Sequence, residues 1–302
     1  MRKRRKRTSM RGINNMKYDL NNTVFVSDLD GTLLNKKAEL SERTIAALND
    51  CISSGLRFTI ATARTIESVK HIVKDVPLTL PMSLMNGVLL YDPMKRGYAK
   101  IHPIDSGEFV FIADKARTEN VSAFAYTVED STALMTHYED LPSPHMRDFV
   151  EERQVRYGKP FNQISNLASL ASGDYGDTIY FVMMNSKEKL QPIFDAVQSR
   201  PELEAAYYSD IYSENVWYLE IFSSQATKKN AVIELRKQTG AAVVVGFGDN
   251  LNDLPMFEAC DVKIAVANAK KAVREAADIV VKSNEDDGVS AYLSSLFING
   301  LI

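Results

Sequence analysis

Two short acidic clusters are the residues of this chain best equipped for chemistry. The first, Asp28-Leu29-Asp30-Gly31-Thr32, closes an apolar, β-branched run that begins at Thr23. Alternate residues of a strand project to the same side, so the spacing predicts two carboxylates at one mouth. The second, Gly248-Asp249-Asn250-Leu251-Asn252-Asp253, follows Val243-Val244-Val245 and leads into a helical stretch. Like charges this close need a cation or a shared proton. Asp28, the backbone carbonyl of Asp30 and Asp249 would supply hard oxygen ligands, and added waters would complete an octahedron suited to Mg²⁺. Taken singly, each cluster also reads as a solvated acidic turn or a helix N-cap.

Other chemistries fail on spacing. A calcium loop starting at Asp28 would need Gly at its sixth position, where Leu33 stands, and a helix rather than a strand before it. Gly246-Phe247-Gly248 is followed by Leu251 where a dinucleotide fingerprint needs a third small residue. Thr62, at the end of Thr59-Ile60-Ala61-Thr62, offers a hydroxyl at a strand-to-helix turn, a natural place for a phosphate oxygen. Lys228 or Lys229 opens another helix and can supply a cation for phosphate, or can be an ordinary solvated charge. Ala231, Val232 and Leu235 lie three, four and seven residues after Lys228 and mark the buried side of that helix. Lys228 is therefore the one expected to face inward.

The elements that must position these residues alternate. A strand over 23–28 is followed by a helix over 42–54 with Ser41 as N-cap and Gly55 just beyond it. A strand over 57–63, a helix over 66–74 and a strand over 82–85 come next. The rhythm returns from residue 228: helix, strand 243–246, helix 251–259, strand 264–267, helix 270–276, strand 279–281. Such alternation implies parallel βαβ units, an α/β fold with a Rossmann-like, mostly parallel sheet. Between the halves the texture changes. Asn86-Gly87 signals a turn, and an apparent hairpin (123–128 and 133–138) is followed by helical stretches and further strands near 178–184 and 216–222. The expected organisation is a core of residues 16–88 and 221–302 and an inserted α+β domain over 89–220, preceded by a basic, disordered tail over 1–15.

Length and composition agree with that reading. The chain has 302 residues, 45% hydrophobic and 25% charged, close to the soluble globular average. Two cysteines, Cys51 and Cys260, point to a reducing, cytoplasmic setting. No apolar run approaches bilayer length, so no membrane partner is expected. The tail carries seven Lys/Arg and no acid, so without it the net charge of −3 becomes −10. An acidic body argues against nucleic acid as a partner and leaves the tail as the only support for it.

In the order of its blocks the chain resembles the haloacid dehalogenase superfamily of phosphohydrolases, in particular its Cof-like branch with an α/β cap. The resemblance rests on Asp-Leu-Asp-Gly-Thr-Leu-Leu at 28–34, Ala-Thr-Ala-Arg at 61–64 and Asn-Gly at 86–87. It continues through Lys228 in Lys-Lys-Asn-Ala, Gly-Asp-Asn-Leu-Asn-Asp at 248–253, Ala265-Val266-Ala267-Asn268-Ala269 and Asn284-Glu285-Asp286-Asp287-Gly288-Val289. It implies Asp28 as nucleophile and Asp30 as general acid/base, with Asp28, Asp30 and Asp249 holding Mg²⁺. Thr62, Ala63, Lys228 and Asn252 then bind substrate, and Asp253 supports the metal water or the lysine. Ala63 stands where the family usually has Gly, and Lys229 where it usually has Gly after the lysine. The implied activity is Mg²⁺-dependent hydrolysis of a small phosphate ester, a sugar phosphate or cofactor-type monoester, through an aspartyl phosphate. The expected assembly is a monomer or weak homo-oligomer. A phosphomutase on the same core, a phosphoacceptor protein and a nucleic-acid-binding module are the alternatives.

Overall fold

The computed structural model describes residues 17–209 and 215–302; the tail expected over 1–15 lies outside the described residues. The chain divides into two compact units. One comprises Met1–Arg64, Ile72–Gly87 and Lys228–Ile302, the other Thr65–His71 and Val88–Thr227.

The first unit is α/β. Strand β1 (Thr23–Ser27) is buried along its whole length, as its Thr-Val-Phe-Val-Ser composition requires for a strand covered on both faces. Helix α1 (Glu42–Ser53) starts where Ser41 accepts the Thr44 N–H at 3.0 Å and buries Leu48 and Cys51. Strands β2 (Phe58–Ile60) and β3 (Met82–Leu84) follow; helix α2 (Ile66–Ile72), which lies between them in sequence, belongs to the second unit except for its last residue. The C-terminal half adds α6 (Lys228–Thr239), β12 (Val243–Gly248), α7 (Leu254–Ala259), β13 (Val262–Val266), α8 (Lys271–Ala276), β14 (Ile279–Val281) and α9 (Gly288–Ile298). The sheet order is β14-β13-β12-β1-β2, with every neighbouring pair parallel. β3 continues it through a parallel bridge between Ala61 and Ser83. Because β1 and β12 are adjacent, the turns that follow them are neighbours, at the carboxyl ends of the strands where open α/β sheets bind ligands.

Two expected strand ends move. β1 stops at Ser27 rather than Asp28. The Asp28 N–H still reaches the Phe247 carbonyl at 3.0 Å, but the chain then turns back, with the Leu34 N–H on the Leu29 carbonyl at 2.9 Å and Gly31 at φ +77°. Strand alternation therefore ends before Asp30, and the same-face argument for Asp28 and Asp30 does not hold. β2 ends at Ile60 instead of Ala63, because the Thr62 N–H bonds the Ser83 carbonyl of β3 (2.9 Å) and leaves the β1 ladder.

The second unit contains a hairpin of β4 (Leu89–Asp92) and β5 (Gly97–Ile101) and a six-stranded sheet. The sheet is built from β6 (Ala123–Glu129), β7 (Ala133–Tyr138), β8 (Phe161–Gln163), β9 (Asp177–Asn185), β10 (Leu203–Ser209) and β11 (Trp217–Ser223), in the order β10-β11-β9-β6-β7-β8. β6 and β7 form the antiparallel hairpin read from the sequence. One sheet face, with Ala125, Phe181, Met183, Leu219 and Ile221, packs on α3 (Ser106–Thr118) and α5 (Lys187–Gln198) through Phe109, Ile112, Leu190 and Ile193. Phe109 and Phe181 lie 4.5 Å apart and are fully buried; each contributes roughly 1.5–3 kcal/mol of transfer free energy. On the opposite face, α4 (Pro144–Tyr157) stacks Phe149 on Phe124 at 4.9 Å. Among the described residues no helix is long and apolar enough to cross a membrane.

Candidate active site

At the ends of β1 and β12 the first unit assembles a buried charge network. Lys228, the first residue of α6, is 2% exposed, and its Nζ donates to Asp28 Oδ1 at 2.6 Å and to Asp253 Oδ1 at 2.7 Å. Asp253 has no exposed surface. Its second oxygen accepts the backbone N–H groups of Asp249 (2.9 Å) and Asn250 (3.0 Å), which locks the turn after β12. Asp249 Oδ1 takes a hydrogen bond from Thr32 Oγ1 at 2.9 Å, and its carbonyl takes the Lys270 N–H at 2.8 Å. One oxygen each from Asp28, Asp249 and Asp253 fall within 4.8 Å of one another.

This crowding shows in the titration of the group. Burial pushes the Asp28 carboxyl well above its usual range, outweighing the pull of Lys228. Burial alone would lower Lys228, but the carboxylates of Asp253 and Asp28 hold it above its usual value. Asp249 is pushed up to about 6, by burial first and against the Thr32 hydrogen bond. Three carboxylates share one ammonium, so the cluster carries uncompensated negative charge, which favours a bound cation. Both oxygens of Asp253 are occupied. Asp28 Oδ2 and Asp249 Oδ2 have no donor among the described residues, and they are the hard oxygens left for a divalent ion.

Gly31 makes the approach of the two turns possible. At φ +77° a side chain is strained, and a Cβ there would sit 2.5 Å from Asp249 Oδ2. Its carbonyl is held by Asn268 Nδ2 at 2.7 Å. Asn268 Oδ1 in turn accepts the Asn284 N–H, and Asn284 Nδ2 bonds the Leu34 carbonyl at 2.8 Å.

The remaining candidates are placed differently. Asp30 is half exposed and does not join the buried carboxylates; Arg64 grips it with Nε on Oδ2 (2.7 Å) and Nη2 on Oδ1 (2.6 Å). Thr62 is fully buried. Its Oγ1 accepts the Arg64 N–H at 3.2 Å, and its hydroxyl proton has no acceptor among the described residues. Ala63 is exposed in the next position. Asn252 is exposed, with its amide 3.5 Å from Asn86 Oδ1. Lys229 points elsewhere, to Glu258 at 2.8 Å on the surface. The roles of Thr32, Arg64, Asn268 and Asn284 in shaping the site were not read from the sequence, although all four lie inside the blocks that carried the resemblance. Their partners are far away in sequence, 217 residues for Thr32 to Asp249, so local spacing holds no trace of them.

Known proteins share this fold. A parallel α/β sheet with an acidic cluster at its carboxyl end, joined to a second α+β unit, defines the class. A family model of haloacid dehalogenase-like hydrolases matches residues 25–293, and the chain belongs to that family. It is 27% identical over 289 residues to the 5-amino-6-(5-phospho-D-ribitylamino)uracil phosphatase YitU of Bacillus subtilis, covering 89% of this chain and 96% of the relative. It is 24% identical to the pyridoxal phosphate phosphatase YbhA of Escherichia coli, covering 91% and 98%. The crystal structure of TM0651 from Thermotoga maritima superposes with a TM-score of 0.74 at 28% identity, covering 90% of this chain and 96% of that one.

Proposed function

We propose that the protein is a Mg²⁺-dependent phosphatase of small phosphorylated metabolites, working through an aspartyl phosphate on Asp28. The observation that carries this reading is the buried Asp28–Lys228–Asp253 network beside Asp249. Its negative charge and unpaired oxygens suit a hard divalent cation held by Asp28, Asp249 and the Asp30 carbonyl. When bound, that cation would neutralise charge on the phosphoryl group.

This chain's residues supply the rest. Lys228 opposes the repulsion between the Asp28 carboxylate and an incoming phosphate, and Asp253 keeps Lys228 aimed. The Thr62 hydroxyl, with its free proton, and the backbone at Ala63 would bind phosphoryl oxygens, with Asn252 at the rim. Asp28 attacks phosphorus, the bond to the ester oxygen breaks, and that oxygen takes a proton from Asp30. Asp30 then takes a proton from the water that attacks phosphorus and frees Asp28. For Asp30 to act, its ion pair with Arg64 must open. Substrate choice is assigned to the inserted domain over 89–220, and the relatives named for a ribitylaminouracil phosphate and for pyridoxal phosphate support a sugar-phosphate or cofactor-type ester. Two free, buried cysteines support a reducing, cytoplasmic setting.

The test is phosphate release from p-nitrophenyl phosphate and from a panel of metabolite esters. Turnover should need Mg²⁺, stop in excess chelator, and vanish in Asp28→Asn with the fold retained. Full turnover in that variant rules out the covalent route, and recovery of an isomeric ester in place of inorganic phosphate would indicate a mutase.

A further inference from the structure

Two blocks near the C-terminal end, 265–269 and 284–289, carried the resemblance and have no part in the chemistry above. Both belong to the first unit, and both reach the turn after β1. Asn268, in the loop that follows β13, donates from Nδ2 to the Gly31 carbonyl at 2.7 Å. Two residues on, the Lys270 N–H bonds the Asp249 carbonyl at 2.8 Å. A stretch of three residues therefore ties the turn after β1 to the turn after β12. Asn284 locks this arrangement from behind. Its N–H donates to Asn268 Oδ1 at 3.1 Å, and its Nδ2 holds the Leu34 carbonyl at the far end of the first turn.

The direct contacts between the two turns are small ones. Thr32 Oγ1 donates to Asp249 Oδ1 at 2.9 Å, and the space beside Gly31 is taken by the Asp249 carboxylate. Gly31 is the residue of its turn with the least steric restraint of its own, so an anchor on its carbonyl has the most to hold. Asn268 is exposed, yet both polar atoms of its side chain are committed to backbone groups on two different segments.

We propose that Asn268 is a positioning residue for the metal site. By anchoring the Gly31 carbonyl to the loop that also holds Asp249, it sets where Asp28 and the Asp30 carbonyl lie relative to Asp249, and with that the affinity for a divalent cation. The proposal rests on the phosphatase reading, which assigns the cation to those groups. Asn268 acts through the backbone, as the outer partners of metal ligands do, and loss of such a partner weakens metal binding or activity by about 10–100-fold.

The test uses the full chain without substrate, titrated with Mn²⁺ and followed by the EPR signal of the free ion, with Mg²⁺ as competitor. Mn²⁺ takes the same hard oxygen ligands. Asn268→Ala should weaken Mn²⁺ at least about tenfold. Asn268→Leu, which removes the polar atoms and keeps the bulk, should do the same and serves if the Ala variant does not fold. Glu285→Ala is the control. The exposed Glu285 accepts the Lys36 N–H at 2.7 Å, so it grips the same stretch of chain beyond the turn. Its loss should leave Mn²⁺ affinity within about twofold, as for an ordinary surface substitution. Unchanged Mn²⁺ affinity in the Asn268 variants, even with a lower melting temperature, overturns the proposal. So does equal weakening in Glu285→Ala, or failure of both Asn268 variants to fold, since the residue would then hold the fold rather than the site. Wild type that binds no Mn²⁺ saturably overturns the metal assignment of the phosphatase reading along with the proposal. Wild type that binds Mn²⁺ and hydrolyses p-nitrophenyl phosphate while Asn268→Ala binds equally well overturns the proposal alone.

Discussion

Lys228 and Lys229 differ by one position and by nearly everything that matters electrostatically. Adjacent helical residues are about 100° apart around the axis. Lys228 shares the buried side of α6 with Ala231, Val232 and Leu235, while Lys229 forms an exposed pair with Glu258. Lys228→Ala should cost roughly 10²–10³ in turnover, as loss of one preorganised charge partner does. It should also destabilise the fold by roughly 3–5 kcal/mol, because Asp28 and Asp253 lose their shared cation. Lys229→Ala should cost less than about tenfold, as expected of a solvated pair. Steady-state kinetics and thermal melts of the two variants decide this, and the reverse order of damage would transfer the role to Lys229.

At the scale of elements, the turn between β1 and α1 is where backbone conformation controls the site. Gly31→Ala would place a methyl against Asp249 at a positive φ. The expected result is roughly a 10²-fold loss of turnover, because a displacement of about 1 Å at reacting groups is enough for that. Gly55→Ala provides the control. Gly55 also has a positive φ (+98°), but its nearest neighbour would be Leu20 Cδ1 at 3.7 Å, so it should cost some stability and leave turnover unchanged. Similar activity in the two variants would refute the importance of the Gly31 turn.

At the scale of the molecule, Lys159 should govern part of the pH dependence of stability. Burial pushes it down from 10.5 to about 7, with the charges of Glu67 and Glu220 pulling up and Arg153 pushing further down. The native state therefore holds fewer protons than the unfolded chain between about pH 7 and 10.5, and this group's share of stability rises with pH across that window. It is lost again as pH falls through 7. Denaturation midpoints at pH 7 and pH 9.5 should show wild type gaining on Lys159→Met as pH rises. A constant difference between the two proteins would contradict the burial of this charge.

The alternation of apolar strands and capped helices was legible as α/β from periodicity alone, and so were the two acidic turns and the inward face of α6, because each depends on residues close in sequence. The edge strand β10 was not, since its half-exposed pattern lacks a clear apolar alternation. Sequence also could not show that Asp30 pairs with Arg64 while Asp28 pairs with Lys228; strand spacing suggested two equivalent carboxylates. That division follows from a turn that leaves the strand after Ser27, and from which strands become neighbours. Burial is likewise a tertiary property: Lys159 reads in the sequence as one more lysine, and only the packing of Tyr126 and Phe161 around it removes it from water. Local geometry sets periodicity and caps, whereas charge pairing and desolvation depend on partners far apart in the chain, 200 residues for Lys228 and Asp28.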